Sequence, residues 1–290
     1  MKIFNTIPSV ILIALLSAGL ALAQRNASLT ENAALRYWSA FSAIQDSSIT
    51  DQQAKELNAI LDGTAPYDDS KYKELLEKNK LALEIMARAT SLPNCDWDLD
   101  YELGHDVPVD YARKGLVLGR LNVLYAFHLL KTGNKDGAVR ALAAGLRFSQ
   151  DVGNGGSLFA TLIAKDLLVN HLRAVTGAIH LEQLSANQRS QLQAAVIRAE
   201  GGLDWPMAAK RDLEALRKDY AENPQTSAAL TRIISSYVGA LNDDSKLPVL
   251  KQAVEGAPQE LANVIPNARR VLEQKEDLNN TLQQTRALVQ

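Results

Sequence analysis

The chain has 290 residues, 47% hydrophobic and 22% charged, with a formal net charge of −2. This is a globular composition, and its near-neutral balance gives no electrostatic case for nucleic acid as a partner. Four histidines and one cysteine leave little material for a zinc cluster and none for a disulfide within the chain.

Residues 1–23 read as an export signal. Lys2 gives a minimal basic start, Ile7–Leu20 is an apolar run, and Ala21-Leu22-Ala23 is an A-x-A cleavage site. The run is shorter than the roughly 20 residues of a spanning helix. No later stretch is long and apolar enough to cross a bilayer. The expectation is an exported chain, periplasmic or secreted, with no membrane span after cleavage near Ala23.

Beyond the signal the chain reads as helix after helix. Alanine and leucine carry most of its apolar content, and both lose little side-chain entropy in a helix. Ser28 with Glu31, Thr50 with Gln53, and Ser185 with Gln188 are three capping boxes. In the first helix, Trp38 and Phe41 are expected to dock onto the body. Asp68 or Ser70 starts a long helix that ends at Ser91-Leu92-Pro93.

A further helix, from about Val109 to Thr132, is apolar nearly all round from Leu116 onward and should be central. Gly115 and Gly119 within it are expected to let a neighbouring helix approach closely. His128 reads as a core histidine. The turn Gly133–Gly137 leads into the next helix, and Gly153–Ser157 breaks the chain again. The apolar helix from Leu158 carries Asp166, Asn170 and His171, read as a buried polar network tying helices together. Asp204 or Trp205, Asn223-Pro224 and Pro266 mark later boundaries.

The fold expected is all-α: an irregular α-solenoid or helical-hairpin array of about ten to eleven helices with no sheet. Residues 24–200 would form the array, with residues 201–290 as a helical extension beyond Gly201-Gly202.

The least scaffold-like stretch is residues 94–110. It holds the only cysteine, Cys95, and six acidic residues. The alternation Asp96, Asp98, Asp100 looks like the start of a calcium loop. Tyr101 stands where an EF-hand needs glycine and Val107 where it needs glutamate, so that reading fails and no metal is assigned. If extended, the segment sets its acids on one face and Trp97, Leu99, Tyr101 and Leu103 on the other. The structural expectation is a staple, with the aromatics buried and the acids wet. The functional one is a ligand site built from Trp97, Asp98, Asp100, Tyr101, Glu102 and His105. Cys95 reads as a small buried thiol rather than a nucleophile served by His105.

Two resemblances follow. Ala126, Leu129, Gly133, Ala138, Leu142 and Gly145 resemble the pattern of one tetratricopeptide-type helical hairpin. Cys95-Asp96-Trp97 with Asp100, ahead of that hairpin, resembles a group of exported, wholly helical bacterial proteins. That resemblance implies a helical, exported chain and carries no activity.

No cofactor motif is present. The leading functional expectation is an exported scaffold or binding protein of the cell envelope, without catalysis, whose partner is an envelope protein or glycan. The alternative is a hydrolase or glycan-acting enzyme using acids of 96–106, with Asp166 as a possible partner.

Overall fold

The computed structural model describes residues 31–45, 50–181, 184–261 and 263–290, leaving out the side chains of Asp51, His105, Asp106 and Leu181. Among these residues the chain forms eleven α-helices and no strand. They are α1 (Ala33–Ser42), α2 (Asp51–Leu61), α3 (Asp69–Ala89), α4 (Asp110–Lys131), α5 (Lys135–Gly153) and α6 (Leu158–Leu181). Then come α7 (Ala186–Ala199), α8 (Trp205–Asp219), α9 (Pro224–Asn242), α10 (Leu247–Glu255) and α11 (Ala268–Val289). A 3-10 segment, Tyr101–Asp106, precedes α4. The architecture is the expected all-helical array.

Polar residues start many of the helices by accepting hydrogen bonds from otherwise orphaned N–H groups, whereas α4 and α10 begin without a side-chain cap. The boxes at Thr50 and Ser185 are both closed, each hydroxyl and its glutamine bonding in return. Asp68 and Asp204 cap α3 and α8. The Ser28 box lies outside the described residues, and α1 is capped by Asn32.

The α4–α5 hairpin and α6 pack on one another as a layer. Helices α1 and α3 cover α4, and α7 covers α5. The α8–α9 hairpin carries the 3-10 segment and meets α6. Helix α11 then returns across α6 and α7. On this return Lys165, buried in α6, places Nζ 2.5 Å from Asp277 and donates to Gln274 at 3.0 Å. Arg286 pairs with Glu200 at the end of α7 at 3.0 Å. Two lysine and arginine anchors thus fix the last helix to the body, and its apolar face (Val271, Leu278, Leu282, Val289) is buried there.

The two glycines of α4 serve different neighbours. A Cβ on Gly115 would meet Val152 of α5 at 3.0 Å, and one on Gly119 would meet Leu167 of α6 at 2.4 Å. Gly119→Ala is therefore expected to cost about 1–3 kcal/mol in urea unfolding, through overpacking against a buried leucine. A cost below about 0.5 kcal/mol would place it with surface changes and show that Leu167 yields freely.

Three expectations need correction. Phe41 is buried, but Trp38 stays 37% exposed at the surface, with the Lys114 ammonium 5.1 Å above its ring. His128 is a half-buried partner of Asp69 rather than a core group. The buried polar network forms around His171 alone of the three residues named on α6. Asp166 is exposed and lies 3.8 Å from Lys165, and Asn170 is half-buried.

Candidate functional site

The stretch after α3 begins as a strap. The Asn32 side chain donates to the Asp96 carbonyl at 2.7 Å and accepts from the Asp96 N–H at 2.9 Å. The Ala33 N–H donates to the Asn94 carbonyl at 2.7 Å. One asparagine thus caps α1 and holds the strap down.

The alternation expected of an extended segment holds as far as Tyr101. Trp97 is buried, Leu99 and Tyr101 are half-buried, and Asp96, Asp98 and Asp100 face solvent. It fails at Leu103, which is 62% exposed. The cause is local: the Asp100 carboxylate accepts from the Glu102 N–H at 2.9 Å and turns the chain into the 3-10 segment. Asp98 adopts φ +49°, a left-handed conformation that aspartate tolerates better than most residues.

These acids do not gather. The Asp96 carboxylate accepts from the Asp98 N–H at 3.0 Å, and Glu102 pairs with Lys218 of α8 at 2.8 Å. Asp166 is engaged elsewhere, beside Lys165. The His105 side chain lies outside the described residues. Among the described residues no group of three His, Cys, Asp or Glu side chains is placed to hold a metal ion.

What the strap grips is Asp151, on the buried face of α5. The Trp97 indole N–H donates to the Asp151 carbonyl at 2.7 Å, and the Cys95 thiol contacts the same oxygen at 3.7 Å. The Trp97 ring stacks on Tyr111, with centroids 4.1 Å apart, and lies parallel to Phe41 at 6.1 Å. Burial raises the Cys95 thiol well above its ordinary range, which disfavours its thiolate form.

The Asp151 carboxylate faces the other way. Its Oδ2 accepts from the Tyr37 hydroxyl at 2.7 Å and from Arg147 Nε at 3.2 Å, while Nε also sits 3.0 Å from Oδ1. Burial raises the Asp151 carboxyl, and the Tyr37 hydrogen bond and the Arg147 charge oppose that rise. Arg147 Nη2 reaches the Pro93 carbonyl at 3.5 Å. The strap, Asp151 and Tyr37 together hold one guanidinium by its inner edge.

The outer edge of Arg147 borders a groove of about 1110 Å³ between α3, α5 and α7. Alanines line much of it: Ala87, Ala141, Ala144, Ala194 and Ala195. Its charged lining is Arg140, Arg147 and Arg198, with Glu84 and the already paired Asp151 as the acids. Among the described residues neither Arg140 nor Arg198 has an ion pair.

A second cleft, of about 690 Å³, lies between the 3-10 segment and α8. Tyr101, Phe159, Tyr220, Asp212 and Asp219 line it. Burial pushes the Asp212 carboxyl up to about 6, against the hydrogen bond that it accepts from the Leu158 N–H at 2.9 Å. Between about pH 4, where an unfolded aspartate ionises, and 6, the folded chain keeps a proton that the unfolded chain has lost. Stability therefore falls as pH rises through that window and stays lower above it. Asp212→Asn, which keeps an acceptor for Leu158, is expected to be nearly neutral at pH 4 and to gain about 1–3 kcal/mol at pH 7.5. Equal effects in thermal melts at both pH values would show that Asp212 does not titrate there.

Comparison with known proteins finds no match among protein-family models, curated proteins or solved structures. The site therefore rests on its own geometry. Trp97 and Tyr101, named from the sequence, prove to be anchors, Tyr101 by donating to the Gly155 carbonyl. The groove arginines and Asp151 were not named. One signal was available: Asp151 is the only acid between Gly137 and Asn154, on the apolar face of its helix, with Arg147 one turn earlier.

Proposed function

We propose that this chain is an exported helical binding protein of the cell envelope, with no catalytic chemistry of its own, and that its partner docks in the α3–α5–α7 groove. The observation that carries this reading is the groove itself. It is concave, has a floor of small side chains, and is bordered by one guanidinium positioned from behind and two that have no ion pair among the described residues. Stacked helical hairpins commonly bind along such faces. The return of α11 onto α6 and α7 supports residues 24–200 and 201–290 working as one array. Export rests on residues 1–23, and sequencing the envelope-fraction protein is expected to give Gln24 as the first residue.

The carboxylate-enzyme reading needs two acids facing each other across a cleft. The second cleft offers Asp212 and Asp219, but these lie two turns apart on one helix, about 10 Å along its axis. Asp212 is also committed to the start of α6. Binding is the better-supported reading.

A photo-crosslinking amino acid placed at the exposed positions Ala87 or Ala194, beside the groove, tests it in envelope extract. Leu103, exposed on the acidic loop, is the control position. Adducts from Ala87 and Ala194 are expected. Adducts from Leu103 alone would move the docking face to the loop and end the groove reading.

A further inference from the structure

We infer that the α3–α5–α7 groove takes an extended acidic segment of a protein partner, with two carboxylates three residues apart set against Arg140 and Arg147. This rests on the groove being the docking face, and adds the chemistry of what occupies it.

The spacing comes from α5. Arg140 and Arg147 are seven residues apart, so they share a helix face and stand about 10.5 Å apart along the axis. A polyproline-II segment advances about 3.1 Å per residue with three residues per turn. Its side chains at i and i+3 therefore point the same way, about 9 Å apart, close to the arginine spacing. In a β-strand, residues i and i+3 point to opposite faces, so a flat strand cannot present this pair.

Charge complementarity selects the sign. Apart from Asp151, which is spent on Arg147 and Tyr37, Glu84 is the one acid among the described residues that line the groove, against three arginines. Arg147 is the best prepared of them. Its Nε is fixed by Asp151 and one Nη2 hydrogen reaches the Pro93 carbonyl; a guanidinium has five N–H donors, so the remaining Nη hydrogens are left for a second carboxylate. Arg198, on α7, supplies a contact across the groove.

The rims suit a chain without internal hydrogen bonds. Asn154 and Gln191 line the groove, and neither side chain has a hydrogen bond among the described residues. Side-chain amides can both donate to and accept from a backbone that is otherwise unsatisfied. Nucleic acid is the poorer fit, because Glu84 stands in the groove and the chain carries net charge −2.

The test uses a fluorescent, end-blocked peptide, Ala-Pro-Glu-Ala-Pro-Glu-Ala-Pro, titrated with the chain lacking residues 1–23. Binding is expected to weaken at least tenfold when both glutamates become glutamine. It should weaken about fivefold in Arg140→Ala or Arg198→Ala, and strongly as NaCl rises from 50 to 500 mM. Melting curves of the two variants should overlay wild type, since both side chains are exposed. The inference is overturned if the glutamine peptide binds equally well, if the arginine variants bind unchanged, or if a single-stranded oligonucleotide of similar length binds more tightly. In each of those cases, crosslinks from Ala87 and Ala194 would still report a partner in the groove and leave the docking reading standing.

Discussion

Trp97→Ala is expected to lower the unfolding free energy by about 3–5 kcal/mol, the range for truncating a buried aromatic to alanine. The ring is 6% exposed and packs among Tyr37, Phe41 and Tyr111, so alanine leaves a cavity walled by rings that cannot all collapse into it. Its indole N–H is also the closest donor to the Asp151 carbonyl. Trp97→Phe separates these effects. It keeps most of the ring and loses the hydrogen bond, for an expected cost of about 1–2 kcal/mol. Urea unfolding followed by circular dichroism measures both. Because the strap positions Asp151 and thereby Arg147, Trp97→Ala should also weaken peptide binding, although the tryptophan does not line the groove. A loss below about 1 kcal/mol for Trp97→Ala would be that of an ordinary surface change, and the strap would not be an anchor.

Local signals in the chain were legible because their causes are local. The capping boxes at Thr50 and Ser185 need only residues three apart, and both are closed as read. The small residues of α4 also told truly of close approach, though not that Gly115 and Gly119 face different helices. The alternation of the acidic stretch was right up to Tyr101. It was wrong at Leu103 because Asp100 can stabilise either an extended run or a turn, and side-chain period alone does not decide between them. What could not be read was anything that depends on how helices rotate against each other. Trp38 and Phe41 are three apart on one helix, yet one is at the surface and the other in the core. The groove arginines come from α5 and α7, and no pattern within either helix announces that they border one concavity. Asp151 sits 54 residues from Trp97. The acidic stretch drew attention through its carboxylates, but its structural weight lies in Trp97, its thiol and its backbone.

The second large effect concerns His171 and depends on pH. The residue is fully buried where α4, α5 and α6 meet, and burial pushes its pKa down to about 4. The hydrogen bonds explain why only the neutral ring fits. Nδ1 lies 2.8 Å from the Leu167 carbonyl, which can only accept, so Nδ1 carries the proton. Nε2 then accepts from the Asn122 side-chain amide at 3.1 Å, and that same amide donates to the Ala141 carbonyl at 2.9 Å. Ser149 donates to the Gly145 carbonyl at 2.7 Å and sits 3.2 Å from Nδ1. Protonation would put an N–H on Nε2 directly against the donor of Asn122. The ring cannot step aside, because it lies over Gly145, where even a Cβ would approach Nε2 to 2.1 Å. An unfolded histidine titrates near about 6.5, so between that pH and about 4 the unfolded chain binds a proton that the folded chain refuses. The neutral ring therefore contributes stability above about pH 6.5 that is lost as pH falls toward 4, amounting to about 3 kcal/mol for a shift of this size. Asp212 runs the opposite way over part of the same window, so the wild-type curve alone blurs the two. The difference between wild type and His171→Gln isolates the histidine. Glutamine carries no charge at either pH and can still accept from Asn122. Its cost is expected to be largest at pH 7 and to shrink by about 3 kcal/mol at pH 4. A cost that stays the same at both pH values would mean that the ring accepts its proton in the folded chain, and that the three-helix junction is looser than its hydrogen bonds imply.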